Sequence, residues 1–234
     1  MLNSETENLI NTRPFKWNCK RSMQPILAEF IGVCLYVFIG CMALQDNFVT
    51  VVALAHGLTI TMLTIGLGAI SGGHFNPAVT LGVVLAGAVE PTLGFCYFIA
   101  QLLGGLLGAA LVRAVLPPNI YDNIKGGSHS LTSGLEPGWV ILGEAVLTTL
   151  LVSTFLLSAV NSKTKTNLAP LAIGFAVAVG IMSGVSTTGT SMNPARALGP
   201  ALVSSDVVSD SFDSHYVWWV GPLLGGLVSG LSYR

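Results

Sequence analysis

Apolar residues in this chain fall in blocks that are too long and too even for a soluble core. Six stretches, at about 26 to 44, 49 to 69, 92 to 115, 138 to 160, 168 to 187 and 216 to 233, approach the roughly 20 apolar residues a helix needs to cross a bilayer. Two shorter apolar pieces, about 77 to 87 and 194 to 203, are too short to cross, and an Asn-Pro pair stands at the head of each. Asn caps the free N–H groups at a helix start, and Pro suits the first helical position because its N–H is missing and its φ is preset. The pattern predicts an all-α membrane protein: a bundle of six transmembrane helices plus two half-helices.

The two halves repeat. LAEFIG (27 to 32) matches LGEAVL (142 to 147), setting Glu29 against Glu144; NPAVTLG matches NPARALG, 117 positions on; LLGGLL (102 to 107) matches LLGGLV (223 to 228). Three full spans per half is an odd number, so the second copy lies upside down relative to the first, an inverted 3+3 repeat.

Composition agrees with a membrane protein and narrows its chemistry. The chain has 234 residues, 52% hydrophobic and 9% charged, against about 25% charged in a soluble domain. A net charge of -1 offers no basic face to nucleic acid. Cys19, Cys34, Cys41 and Cys96 form no CxxC pair and no metal-ligand spacing, so no cofactor or metal is implied.

Arg13, Lys16, Lys20 and Arg21 precede the first apolar run, which is long and lacks a clear cleavage site, so it reads as a retained span. With Lys163 and Lys165 they mark one side as cytoplasmic. The expected organisation is a single channel domain: a cytoplasmic segment (1–22), a first repeat (23–115), an extracellular connector (116–137) and a second repeat (138–234), both termini inside. Arg113 and Lys125 fall on the wrong side by this count. The plasma membrane is the expected location, with the mitochondrial inner membrane left open.

Irregular backbone in hydrocarbon must be buried in protein or line a wet cavity. SGGHF and TGTSM, ahead of the two NPA starts, are therefore candidate pore linings. In an inverted repeat the half-helices meet N-terminus to N-terminus near the midplane, where each carries about half a positive charge. That junction repels cations, and the Asn76 and Asn193 amides turn a passing water so that a proton wire is broken; half-helix dipoles with an Arg are a known device for this in water pores.

With AEFIG (28 to 32), SGGHFNPAVT (71 to 80), GEAVLT (143 to 148) and SMNPARALGPA (191 to 201), the chain resembles the aquaporin (major intrinsic protein) family over nearly its whole length. The resemblance implies an aquaporin-like right-handed hourglass bundle, one pore per subunit, a homotetramer in the lipid bilayer, and a second filter outside the Asn pair. By motif the filter falls on His56, Ile181, Thr190 and Arg196. His and Ile in the first two positions are similar to the aquaporin-8 subfamily and plant tonoplast channels, which implies passage of water and ammonia, and often hydrogen peroxide or urea. That subfamily usually has Gly where Thr190 stands and Cys where Ser191 stands. The first departure puts ammonia and urea in doubt, and the second predicts weak mercury sensitivity.

The pore motifs are thus Asn76, Pro77, Ala78 and Asn193, Pro194, Ala195. His74, Phe75, Ser191 and Met192 are expected to line the pore. Glu29 and Glu144 could be a proton relay, but their symmetry and their Gly and Leu neighbours favour a quieter role, accepting N–H groups from the irregular segments. Trp218 and Trp219 are expected near a membrane interface, and the loop with Lys125 and His129 as a solvated connector.

The expected function is a passive water channel, not an enzyme, with ammonia and hydrogen peroxide as further solutes and with protons and ions excluded. A glycerol or urea facilitator is the alternative, disfavoured because Ala197 follows Arg196 and His56 replaces the usual aromatic. A coupled secondary transporter would need Glu29 and Glu144 as its ion site.

Overall fold

The computed structural model describes residues 19–46, 48–131 and 133–234, with side chains from Ser22 onward. Arg13 and Lys16, and the side chains of Cys19, Lys20 and Arg21, lie outside the described residues. The helices are α1 (Cys19–Met42), α2 (Val49–Ser71), half-helix α3 (Pro77–Leu85), α4 (Pro91–Val115), a short α5 (Pro118–Asn123), α6 (Pro137–Phe155), α7 (Ala169–Gly184), half-helix α8 (Pro194–Val203) and α9 (Val217–Tyr233). A π-helical turn, Leu156–Val160, continues α6. Among the described residues there is no strand.

The helix starts follow from the sequence. α3, α4, α5, α6, α7 and α8 each carry Pro in the first two positions, where a missing N–H costs nothing. Four helices are long and apolar enough to cross a membrane by length and composition, while α7 is a shorter apolar helix of 16 residues. Leu54, Leu58, Met62 and Ile65 of α2 and Leu142, Val146 and Leu150 of α6 are exposed apolar side chains at three- and four-residue spacing. Such outward stripes are what a bilayer, and not water, would cover.

Packing obeys the repeat. α1 packs on α4 as α6 packs on α9, α1 on α2 as α6 on α7, and α2 meets its own counterpart α7. Each half-helix leans on the last helix of the other half, α8 on α4 and α3 on α9. The paired glycines of LLGGLL and LLGGLV make both approaches possible. A methyl on Gly104 would strike the Phe30 carbonyl of α1, and one on Gly225 the Ala145 carbonyl of α6. Their neighbours Gly105 and Gly226 face across the repeat, against the carbonyls of Ala195 and Ala78. One glycine therefore sets the distance within a half and the next sets it between halves, as small-residue faces do in membrane helices.

The two basic residues that disagreed with the charge count have acidic partners. Arg113 forks onto Asp206, Nη1 to Oδ1 at 2.7 Å and Nη2 to Oδ2 at 2.6 Å, and Lys125 Nζ lies 3.5 Å from Asp210 Oδ2. They pin the connector face to the segment after α8. The Arg113 guanidinium holds the Asp206 carboxyl below its ordinary range.

Gly226→Ala is expected to destabilise the detergent-solubilised protein by about 1–3 kcal/mol, the usual cost of overpacking. Gly138→Ala, where nothing lies within 4 Å of the new methyl, should leave the thermal unfolding midpoint unchanged.

Candidate functional site

Two broken segments, residues 72–75 and 189–192, interrupt the bundle ahead of the half-helices. Their backbones follow the same path. Gly72, Gly73 and Phe75 have φ of 95°, 72° and 46°, and their repeat equivalents Gly189, Thr190 and Met192 have 75°, 41° and 53°. Thr190 thus holds a left-handed conformation that a β-branched residue rarely adopts, where the first repeat has Gly73.

Each segment hangs on one buried carboxylate. Glu29, on α1, accepts Ser71 Oγ (2.6 Å), His74 N (3.0 Å), Phe75 N (2.6 Å) and Gln101 Nε2 (2.8 Å). Glu144, on α6, accepts Thr188 Oγ1 (2.7 Å), Ser191 N (3.1 Å) and Met192 N (2.8 Å). Both carboxylates are fully buried, and the N–H groups they take have no helical partner, so each bond prevents an unsatisfied donor. A second layer repeats too. Tyr97 Oη donates to Ser71 O at 2.8 Å, and Trp218 Nε1 donates to Thr188 O at 2.9 Å. Trp218 is 0% exposed, so the expected interfacial tryptophan is instead a core donor, placed by a backbone acceptor that hydropathy does not register.

The two half-helices are tied together at their N-termini. Asn76 Oδ1 accepts Ala78 N (2.8 Å) while its Nδ2 donates to Met192 O (2.7 Å); Asn193 Oδ1 accepts Ala195 N (3.0 Å) while its Nδ2 donates to Phe75 O (2.9 Å). Each Asn caps its own helix and grips the opposite segment, which leaves one amide hydrogen on each free for a solute. Pro77, Ala78, Pro194 and Ala195 are buried in the first turns behind them.

Toward the connector face, Arg196 Nη1 donates to Gly127 O (2.8 Å) and its Nε faces His56 Nε2 at 3.5 Å. His56 Nδ1 lies 2.8 Å from Val52 O, so this nitrogen carries the proton and Nε2 is left as the acceptor for Arg196. The arginine is 5% exposed. Its carbonyl partner comes from the Lys125–Gly127 turn, where Gly126 and Gly127 have φ of 58° and 83°. Ile181 is buried on α7, one turn before Val185, which borders the cavity above Arg196. Thr190 is also buried, its Oγ1 3.4 Å from Thr188 Oγ1 and against Gly184, with His129 donating to its backbone.

Three cavities follow one another through the bundle. A connector-face vestibule of about 630 Å³ is bordered by Arg196, Gly189, His129 and Lys125. A narrow lumen of about 20 Å³ lies among Tyr36, His74, Asn76, Val79, Ser191, Met192 and Asn193. A second vestibule of about 760 Å³ opens between Gly72, Thr64 and Lys165. About 20 Å³ of room for a water's centre exceeds the roughly 10–15 Å³ that one water needs, so the lumen admits water.

The structure brings together His56 and Arg196, and separately His74, Asn76, Ser191, Met192 and Asn193. Phe75 departs from the expected lining role: its ring turns away from the lumen into the core against Gly32, and only its carbonyl serves the Asn pair. His129 departs as well. It is 7% exposed, its ring centroid 5.3 Å from that of Trp218 at a 36° tilt, and borders the vestibule, where burial and the Arg196 charge hold its imidazole well below the usual histidine range. Tyr36, Gln101, Thr80 and Thr188 were missed. Extending the repeat from Ser71, inside SGGHF, to Thr188 finds one of them, but Tyr36 has no sequence signal beyond being polar in an apolar span.

Fold and site define a transmembrane channel built from inverted repeats, and comparison with known proteins names the family. The major intrinsic protein family model matches residues 16–233. Aquaporin-8 of Mus musculus is 44% identical over 217 residues, covering 91% of this chain and 81% of its own length. Aquaporin TIP2-1 of Arabidopsis thaliana is 36% identical over 227 residues, covering 91% and 86%. The solved aquaglyceroporin of Plasmodium falciparum shares the fold at a TM-score of 0.75 and 22% identity, covering 91% and 93%. The chain belongs to the major intrinsic protein family and is similar to aquaporin-8. It is an integral multi-pass membrane protein and a passive channel for water or small solutes, not an enzyme.

Glu29→Gln keeps one acceptor oxygen and turns an NH₂ group toward two of the four donors. Unmade buried bonds cost about 1–3 kcal/mol each, so the variant is expected to melt well below the parent and to lose water flux, measured by thermal aggregation and by stopped-flow light scattering.

Proposed function

We propose that the chain conducts water in single file, passes ammonia and hydrogen peroxide as further neutral solutes, and excludes protons and ions. The observation that carries this reading is the cross-tied Asn76–Asn193 junction beside a lumen of about 20 Å³. Two helix N-termini and two amide hydrogens converge there, so a water presents its oxygen to the junction and points its hydrogens away. Protons then have no continuous wire, and cations meet positive potential.

The narrowest selection belongs to His56, Ile181, Thr190 and Arg196. Arg196 presents donors to solute oxygen or nitrogen, His56 accepts from Arg196 and fixes its plane, and Ile181 supplies an apolar wall. Pro77, Ala78, Pro194 and Ala195 hold the Asn pair in place, while His74, Ser191 and Met192 border the file. Glu29 and Glu144 are structural: their oxygens are occupied by segment donors and neither borders the lumen, which leaves a coupled transporter without an ion site. Ala197 after Arg196, with His56 in place of an aromatic, weighs against a glycerol facilitator. The channel works as a homotetramer in the bilayer, in the plasma membrane, with both termini cytoplasmic and the 116–137 connector outside.

Purified protein in proteoliposomes should swell and shrink faster than empty vesicles in sucrose gradients, with little gain in glycerol. Water flux no faster than in empty vesicles sinks the reading. Thr190→Gly, which restores the residue type found at Gly73, should raise urea and ammonia flux relative to water. Mercuric chloride should inhibit the parent weakly, whereas Ser191→Cys, on the lumen wall, should confer strong block reversed by added thiol.

A further inference from the structure

Around the Asn pair, the polar side chains that face the lumen are either donors or already engaged within the protein. Asn76 and Asn193 use their amide oxygens on their own helices and keep one N–H each. Ser191 Oγ donates to Asn193 O (2.7 Å) and accepts Asn193 N (3.3 Å). Arg196 has no acceptor, and the His56 lone pair faces Arg196. Gln101 Nε2 donates to Thr80 Oγ1 at 2.8 Å, which leaves the Thr80 hydrogen for His74 Nδ1 at 3.1 Å and makes Nε2 of His74 a donor. The backbone carbonyls nearest the pair, Phe75 O and Met192 O, already accept the two amides.

Tyr36 is the exception. It is 3% exposed, borders the lumen with both Asn side chains, and sets its ring edge-on to His56 at 5.5 Å and 81°. Its phenol oxygen has no hydrogen-bond partner among the described residues and is not sealed away from open space. The hydroxyl of a residue this buried, without a protein partner and not sealed, opens on the lumen. A phenol accepts as well as donates.

We propose that Tyr36 is a specificity-determining residue: its hydroxyl is the unengaged side-chain acceptor of the lumen, between the Asn pair and the His56–Arg196 constriction, and it serves solutes with more donors than acceptors, ammonia above all. This rests on the channel reading above. Water in single file has water neighbours to accept its hydrogens. Ammonia has one lone pair, which an Asn or Arg196 can meet, and three N–H groups that otherwise face Ile60, Val79, Leu151, Ile173 and Val177. Tyr36 accepts one of them. The ring's contact with His56 does not involve the hydroxyl, so Tyr36→Phe isolates it.

The test measures ammonia flux with an internal pH dye and water flux by light scattering in the same proteoliposomes, for the parent, Tyr36→Phe and Tyr36→Leu. The ammonia-to-water permeability ratio should fall at least about threefold in both variants. A ratio cancels any loss of folded protein, and a purely structural role would scale both fluxes together. An unchanged or higher ratio overturns the proposal, as does a parent that conducts water but carries no ammonia beyond empty vesicles. A parent without water flux overturns the channel reading and, with it, this proposal.

Discussion

A helix broken in mid-membrane leaves backbone N–H groups that neither lipid nor the helix can satisfy, and the structure depends on how Glu29 and Glu144 meet that demand. Each carboxylate takes two successive backbone N–H groups and one hydroxyl of a broken segment. With the segments held, Asn76 and Asn193 can reach across to Met192 O and Phe75 O. The half-helices then point their N-termini at one another without further strapping. Removing the carboxylates would therefore disorder the junction before it disturbed any spanning helix.

The repeat fixes this scaffold and the departures from it set the chemistry. Val79 stands where Arg196 stands in the other half, so the strong charge is on the connector side alone. His74 answers to Ser191, which gives one half an aromatic donor and the other a small hydroxyl already engaged by its own Asn. Gln101 answers to Pro222, so only Glu29 receives a fourth donor, and only the first half has the Gln101–Thr80–His74 chain that orients a ring at the lumen. Thr190 answers to Gly73 and takes the left-handed backbone without a glycine.

Much of this was legible in the sequence, because the signals were local or periodic. Asn-Pro at the head of a short apolar run places each half-helix, and the spacing of LLGGLL and LLGGLV finds the close helix approaches. Glu29 and Glu144 stood out as charges in apolar spans at equivalent positions. What stayed hidden depends on contacts between segments far apart in the chain. His129 lies in a polar stretch that reads as connector, and only folding carries it under Trp218 and beside Arg196. Phe75 is next to the capping Asn, yet its left-handed φ of 46° sends the ring toward Gly32. Alternation rules do not reach such a segment, because it has neither a helical nor a strand period.

Arg196 shows how these layers combine. A guanidinium in the membrane is costly unless its donors are satisfied, and here the acceptors come from outside its own half: Gly127 O from the connector and His56 Nε2 from the first repeat. The connector can supply that carbonyl because Gly126 and Gly127 take left-handed turns that no side chain would permit: a methyl on the first would strike Tyr121 and Ser204, and one on the second Cys41. Two acceptors fix the arginine's plane while leaving other N–H groups toward the vestibule. The surroundings of Arg196 are thus assembled from both repeats and the connector at once, so a charge that hydropathy marks as an anomaly is held by the least periodic part of the chain.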